Sequence, residues 1–285
     1  MTEALSTIDY VANLEKDAPR DILKLTTGMA YAEERKYVSV TVPEVLALDK
    51  LEIYHLVDVQ WGHVCCQEKR FIEYRDFILA EPYRFTVFGG DMINASTMLS
   101  KGLPWDDTMP PIEQVYRFVN VCMPMRHRIL GYVGGNHERH TRTTLGKGVG
   151  SFIASLLRIP YSEGQQSIDI HFGAWKPFKI DLWHGTGAAR TEGAQLMMLV
   201  RWAKSTDGDL CLVGHLHGAV VKPLWRRLRN VKGKALGIKK YYACMSSSFL
   251  EFWGTYGEIG GFEPTDVCMA RCIIEPTGKF EVTVR

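Results

Sequence analysis

Short apolar runs separated by polar loops mark out the middle of the chain. Residues 53–57, 85–88, 129–133, 180–183 and 210–213 are predominantly apolar and rich in β-branched or aromatic side chains. Runs of that length without clear alternation fit strands covered on both faces. Between the first two runs, Phe71, Ile72, Tyr74, Ile78 and Leu79 recur at helical spacing while residues 68–75 supply a polar face, which predicts a crossover helix. Pro110 and Pro111 open a second stripe of Ile112, Val115, Phe118, Val119 and Cys122, and proline is accommodated in a first helical turn. Residues 150–158 and 192–204 predict two further helices. Strand and helix thus alternate up to about Gly218, the pattern of an α/β sheet that is largely parallel in this half.

Beyond His217 the helical pattern stops. Residues 219–224, 238–245, 267–274 and 280–284 read as strands with no helix between them, and so as antiparallel neighbours. The first 50 residues are harder to read. Ile8, Val11 and Leu14 have the spacing of a short helix and residues 37–42 the character of a strand. We read residues 1–50 as an N-terminal extension of unassigned role and residues 51–285 as one domain.

Composition narrows the class without choosing a function. With 285 residues, 46% hydrophobic and 23% charged, the chain has the makeup of a folded globular protein with a sizeable core. A net charge of +2 neither requires nor excludes a nucleic-acid partner, so any electrostatic argument has to be local. The seven cysteines are odd in number and lack CxxC spacing, which argues for free thiols in a reducing cytoplasm rather than a disulfide scaffold. No run of 18 apolar residues and no basic-then-apolar start occurs, so neither a membrane span nor a signal peptide is expected.

The chemistry lies where the apolar runs end. Asp58 and Gln60 follow the first, Asp91 closes Gly89-Gly90-Asp91 after the second, and Asn136 and His137 sit in Gly134-Gly135-Asn136-His137-Glu138 after the third. His184 ends the fourth, and His215 and His217 lie in Gly214-His215-Leu216-His217 after the fifth. Loops at the carboxyl ends of strands are where α/β sheets gather functional groups. A set of two Asp, one Asn, one Gln and three His mixes hard oxygen with imidazole, which suits borderline divalent ions such as Mn, Fe, Co, Ni or Zn.

In order and spacing these motifs resemble the calcineurin-like metallophosphoesterases, over roughly residues 53–245 and most closely the compact bacterial and phage-type members. The resemblance implies a mixed two-sheet α/β sandwich flanked by helices, holding two divalent ions, Mn foremost. It implies that Asp58, Gln60, Asp91 and His217 hold the first metal and that Asp91, Asn136, His184 and His215 hold the second, with Asp91 bridging. His137 is implied as the catalytic general acid, and a metal-bridging hydroxide as the in-line nucleophile on a phosphoester. The chain departs from the family in carrying Asp58-Val59-Gln60 where Asp-x-His is usual. A neutral amide is a weaker ligand than imidazole, so the first metal is expected to be held more loosely.

Arg139, His140 and Arg190 stand beside ligand loops, as groups that grip substrate phosphate or as solvated surface. Residues 222–240 contain Lys222, Arg226, Arg227, Arg229, Lys232, Lys234, Lys239 and Lys240 and no acid, with a turn at 230–233. This reads as a basic hairpin near the metal loops, either solvated or attracting a polyanion such as nucleic acid. Trp225 and the group Phe249, Phe252, Trp253 and Tyr256 are either base-stacking surfaces or core. The expected activity is hydrolysis of a phosphodiester in nucleic acid or a nucleotide. Alternatives are a phosphomonoesterase or protein phosphatase, and a noncatalytic metal-binding interaction module of the same fold.

Overall fold

The structure, a computed structural model, describes residues 33–42, 47–96, 104–142, 146–173, 176–229 and 236–285. The expected helix around Ile8, Val11 and Leu14 lies outside them. In chain order the elements are β1 (Tyr37–Thr41), β2 (Leu51–Leu56), α1 (Glu68–Leu79), β3 (Arg84–Phe88), α2 (Pro111–Cys122), β4 (Ile129–Val133), α3 (Asn136–His140), α4 (Val149–Leu157), β5 (Tyr161–Ser162) and β6 (Gln165–His171). There follow β7 (Phe178–Trp183), α5 (Glu192–Ala203), β8 (Leu210–Val213), β9 (Val220–Arg229), β10 (Leu236–Met245), α6 (Tyr256–Ile259), β11 (Ala270–Ile274) and β12 (Phe280–Val284).

Among the described residues the strands form two six-stranded sheets, ordered β12-β11-β2-β3-β4-β5 and β1-β6-β7-β8-β10-β9. In the first, β2, β3, β4 and β5 run parallel and the β11–β12 hairpin adds antiparallel to β2. In the second, β7, β8 and β10 run parallel, flanked by antiparallel β6 and β9, while β1 joins β6 in parallel. Three apolar layers explain the arrangement. Ile53, Val87 and Leu130 of one sheet meet Ile170, Ile180 and Leu212 of the other between the sheets. On the far side of the first sheet, Phe71, Phe118 and Phe152 of α1, α2 and α4 cover Tyr54, Phe88 and Tyr132. Leu199 and Trp202 of α5 cover Cys211, Val213 and Met245 on the second. This is the mixed two-sheet sandwich flanked by helices that the resemblance implied. β2, β4 and β8 are buried at every residue because they have cover on both faces.

The strict alternation expected up to Gly218 is broken in two ways. β6 has no counterpart among the expected strands: its Gln165–His171 sequence presents only Ile168 and Ile170 as aliphatics, alternating inward from an otherwise polar strand. It pairs antiparallel with β7, so the apolar runs at 180–183 and 210–213 belong to a second sheet rather than continuing the first. The strands after His217 are likewise not purely antiparallel, since β10 lies parallel to β8. The strand expected at 37–42 is β1, so the second sheet draws on residues before position 50. Among the described residues no helix is long and apolar enough to cross a membrane.

Candidate metal centre

The parallel strands β2, β3, β4, β7 and β8 all deliver their carboxyl ends to one edge of the sandwich, and the candidate ligands leave from there. Backbone bonds lock the first two loops together, Asp58 N–H donating to the Gly90 carbonyl at 3.0 Å and Gln60 N–H to the Asp91 carbonyl at 2.9 Å. The backbone turns sharply at these residues. Eight non-glycine residues in the described chain have positive φ, and five are candidate ligands: Asp58 (51°), Gln60 (48°), Asp91 (52°), His215 (69°) and His217 (56°). Left-handed backbone at non-glycine residues is uncommon and strained, and strain of this kind gathers at functional sites. Glycines make the close approach possible. A Cβ on Gly135 would run into the Asp91 carboxylate and backbone nitrogen, and one on Gly90 would lie 2.7 Å from both the Gly135 nitrogen and His184 Nδ1.

Around Asp91 the donors converge. Asp91 Oδ1 accepts the His137 backbone N–H at 2.8 Å, and Oδ2 lies 3.1 Å from His184 Nε2 and 3.9 Å from His137 Nε2. Asn136 Oδ1 is 3.0 Å from the same His184 nitrogen. His184 Nδ1 faces the Gly89 carbonyl at 2.8 Å, and since a carbonyl only accepts, Nδ1 holds the proton of the neutral ring. The Nε2 lone pair then points at two oxygen acceptors, an arrangement that either a proton on Nε2 or a cation between them satisfies. His215 Nε2 donates to the Gly187 carbonyl at 2.8 Å, leaving Nδ1 as its lone pair. Asp91, His184 and His215 together present ligand atoms within 4.8 Å of one another.

Electrostatics carry the same signature. Burial depresses the His184 imidazolium, but the Asp91 charge, the hydrogen bond to it and the Asp58 charge raise it to about 9. Burial likewise pushes the Asp91 carboxyl up, while the charges of His184 and His137 hold it well below the usual carboxylate range. Burial and the neighbouring His184 charge lower His215. Without a metal, a proton on His184 supplies the missing positive charge.

A second group lies alongside. Asp58 Oδ2 accepts the His215 backbone N–H at 2.7 Å, while Oδ1, fully buried, accepts no hydrogen bond from a described residue and lies 3.6 Å from His217 Nε2. Gln60 is buried in the same loop. These donors fit divalent metal: an orphaned carboxylate oxygen, imidazole lone pairs and an amide oxygen are what borderline ions take up.

His137 Nδ1 donates to the Asn94 carbonyl at 2.5 Å, so its Nε2 is the nitrogen turned to Asp91. Arg139 is tied back to the Gly135 carbonyl through Nε at 3.0 Å. Its neighbour His140 is half-buried, its imidazolium disfavoured first by burial and then by the charge of His137. Arg190 is exposed, its guanidinium 5.7 Å from the Phe262 ring centre. Phe249 is core, packed on Phe71 and Tyr74, whereas Trp225 and Trp253 are exposed.

Two supports leave little trace in the sequence. Glu138 is fully buried and accepts the backbone N–H groups of Asp91, Met92 and Gly135 and the Tyr132 hydroxyl, at 2.6–3.0 Å. It fixes the turns that carry Asp91 and Asn136, and burial followed by the Asp91 charge pushes its carboxyl up to about 7. Its one signal is its place directly after His137. Ser246, Ser247 and Ser248 form the other support. Ser248 Oγ donates to the Asp58 carbonyl at 3.0 Å, and Ser246 Oγ meets the Ala270 N–H and buried His55. Three small hydroxyls in a row carry no distinctive sequence signal.

The basic hairpin is corrected in position. β9 leaves the site at Val220 and β10 returns to it at Met245, so Arg226, Arg227 and Arg229 lie progressively farther along the hairpin from the metal loops. The parallel alignment of β10 with β8 dictates this.

No protein family matches the chain by sequence, and no curated protein does. Among solved structures it is similar to a conserved uncharacterized protein of Streptococcus pneumoniae TIGR4 titled a predicted phosphoesterase, at 14% identity and TM-score 0.36, covering 84% of this chain and 99% of that one. It is also similar to the NAD nucleotidase of Haemophilus influenzae, at 11% identity and TM-score 0.39, covering 82% of this chain. The match spans about half (49%) of the nucleotidase. At this level of likeness the strand order and layers above define the fold.

Proposed function

We propose that the protein is a metal-dependent phosphoesterase of the calcineurin-like kind, cleaving a phosphodiester at a dinuclear centre. The observation that carries this reading is the convergence of Asp91 Oδ2 and Asn136 Oδ1 on the His184 Nε2 lone pair, at 3.1 and 3.0 Å. Asp91, Asn136, His184 and His215 would hold one ion and Asp58, Gln60, His217 and Asp91 the other. Two ions there, Mn foremost, would supply a water of lowered pKa and a clamp on the phosphoryl oxygens. The chain's own residues do the remainder. His137 is anchored by the Asn94 carbonyl and turns Nε2 toward the centre, placed to hand a proton to the leaving oxygen. Glu138 and the Gly90 and Gly135 turns keep the reacting groups fixed, as in-line displacement requires.

The test is hydrolysis of bis-p-nitrophenyl phosphate by metal-stripped protein before and after Mn is restored, beside the monoester p-nitrophenyl phosphate. Diester turnover that needs Mn supports the reading. Two bound ions without turnover favour the noncatalytic module, and faster monoester cleavage favours a phosphomonoesterase.

A further inference from the structure

The β9–β10 hairpin continues past the rest of its sheet, and its two faces differ. One face stays structural. Arg226 donates to the carbonyls of Thr206 and Gly208 at 2.9 and 3.1 Å and lies over the Tyr241 ring, and its cross-strand partner Lys239 pairs with Asp209 at 2.6 Å. The other face begins as the layer between the sheets, where Cys244 is buried and Tyr242 packs on Phe280. Two residues further along, that layer runs out. Trp225 emerges 61% exposed with Lys240 opposite it, then Arg227 opposite Ile238, itself 79% exposed, then Arg229. The guanidinium groups of Arg227 and Arg229 make no hydrogen bond or ion pair with a described residue, and neither strand carries an acidic side chain.

We propose that this face docks single-stranded nucleic acid, with a base stacked on Trp225 and phosphates held by Arg227, Arg229 and Lys240. Alternate residues of a strand share a face, so the aromatic and the two guanidinium groups form a line, the pairing of stacking platform and basic track that single strands favour. Charge selects the occupant. A second copy of the chain would set the same uncompensated cations against one another, as charged edge strands do to resist pairing. A polyanion neutralises them. The proposal rests on the phosphodiesterase reading only in naming the substrate as nucleic acid, since docking needs neither metal nor turnover. At about 3.3 Å per residue, Trp225 lies roughly 17 Å along the strand from Val220 at the site edge. The arm is therefore a remote anchor for a long substrate and is irrelevant to a small one.

The experiment is fluorescence anisotropy of a fluorescein-labelled oligothymidylate with the full chain in EDTA, at low and at physiological salt. Trp225→Ala should weaken binding roughly tenfold. Arg227→Glu/Arg229→Glu should flatten the dependence of log affinity on log salt by about 0.7 for each phosphate that is no longer neutralised. Both variants should turn over bis-p-nitrophenyl phosphate like the parent. Should the charge-reversed protein not fold, Arg227→Gln/Arg229→Gln reads the same slope. Unchanged affinity in the variants overturns the proposal, as does a parent protein that binds phosphatidylserine vesicles or an acidic peptide but not the oligonucleotide. Oligonucleotide binding that survives a failure of catalysis leaves the arm standing and removes only the phosphodiesterase reading.

Discussion

Metal-free protein should take up an ion at Asp91 only by giving up a proton. In the structure His184 Nε2 is 3.1 Å from Asp91 Oδ2, and its imidazolium is stable up to about pH 9. At pH 7 the ring is then charged by about a hundred to one, and a ligand nitrogen must be neutral. Displacing that proton opposes binding by about 3 kcal/mol at pH 7, at roughly 1.4 kcal/mol per pH unit. Calorimetric titration of metal-free protein with Mn, in buffers of differing ionisation enthalpy, should show about one proton released per ion bound at this site. Affinity should climb by roughly fiftyfold from pH 7 to 9 and level off near about a hundredfold above that. The stability of the metal-free protein should move oppositely. Its folded-state pKa is raised above the ordinary 6.5, so the His184–Asp91 pair stabilises fully below that pH and is lost as pH rises through about 9. A flat affinity across this window, with no proton released, would refute the reasoning.

Other consequences are as direct. His137→Ala should lower kcat by about two to four orders of magnitude while metal content stays at the parent level, whereas Asp91→Asn should lose both, as metal analysis beside turnover will show. Gly135→Ala should expel the Asp91 carboxylate, costing metal binding and about 1–3 kcal/mol of stability in urea unfolding. Glu52 is a test remote from the site. Burial pushes its carboxyl up, but hydrogen bonds from Lys50, Tyr54 and Arg271 bring it down to about 2. Its stabilisation is therefore full above about pH 4.5 and disappears as pH falls toward 2, and Glu52→Gln should cost about 3 kcal/mol at pH 7 and make acid unfolding less steep.

Much of the fold and site is legible in the chain itself. The five apolar runs declare themselves because buried parallel strands need apolar residues on both faces, and the polar residue ending each run stands out against them. What stays hidden is relational. β6 offers only Ile168 and Ile170 as buried aliphatics, beside a buried Gln166, so its membership of a second sheet depends on partners far along the chain. The left-handed backbone at Asp58, Gln60, Asp91, His215 and His217 is imposed by the packing of adjacent loops, and no residue type announces it. Glu138 and the serines 246–248 act through hydrogen bonds to backbone, which leave no periodic trace. The basic stretch is legible as charge but not as direction, because only its register with β8 shows which way the hairpin runs.

Where the ions bind decides the matter most directly. Anomalous scattering from crystals grown with increasing Mn should show one ion first, against His184, Asp91, Asn136 and His215, and a second at higher concentration, against Asp58, Gln60 and His217 and sharing Asp91. A single ion at saturation, or ions bound elsewhere while His184 and Asp91 stay directly paired, would contradict it.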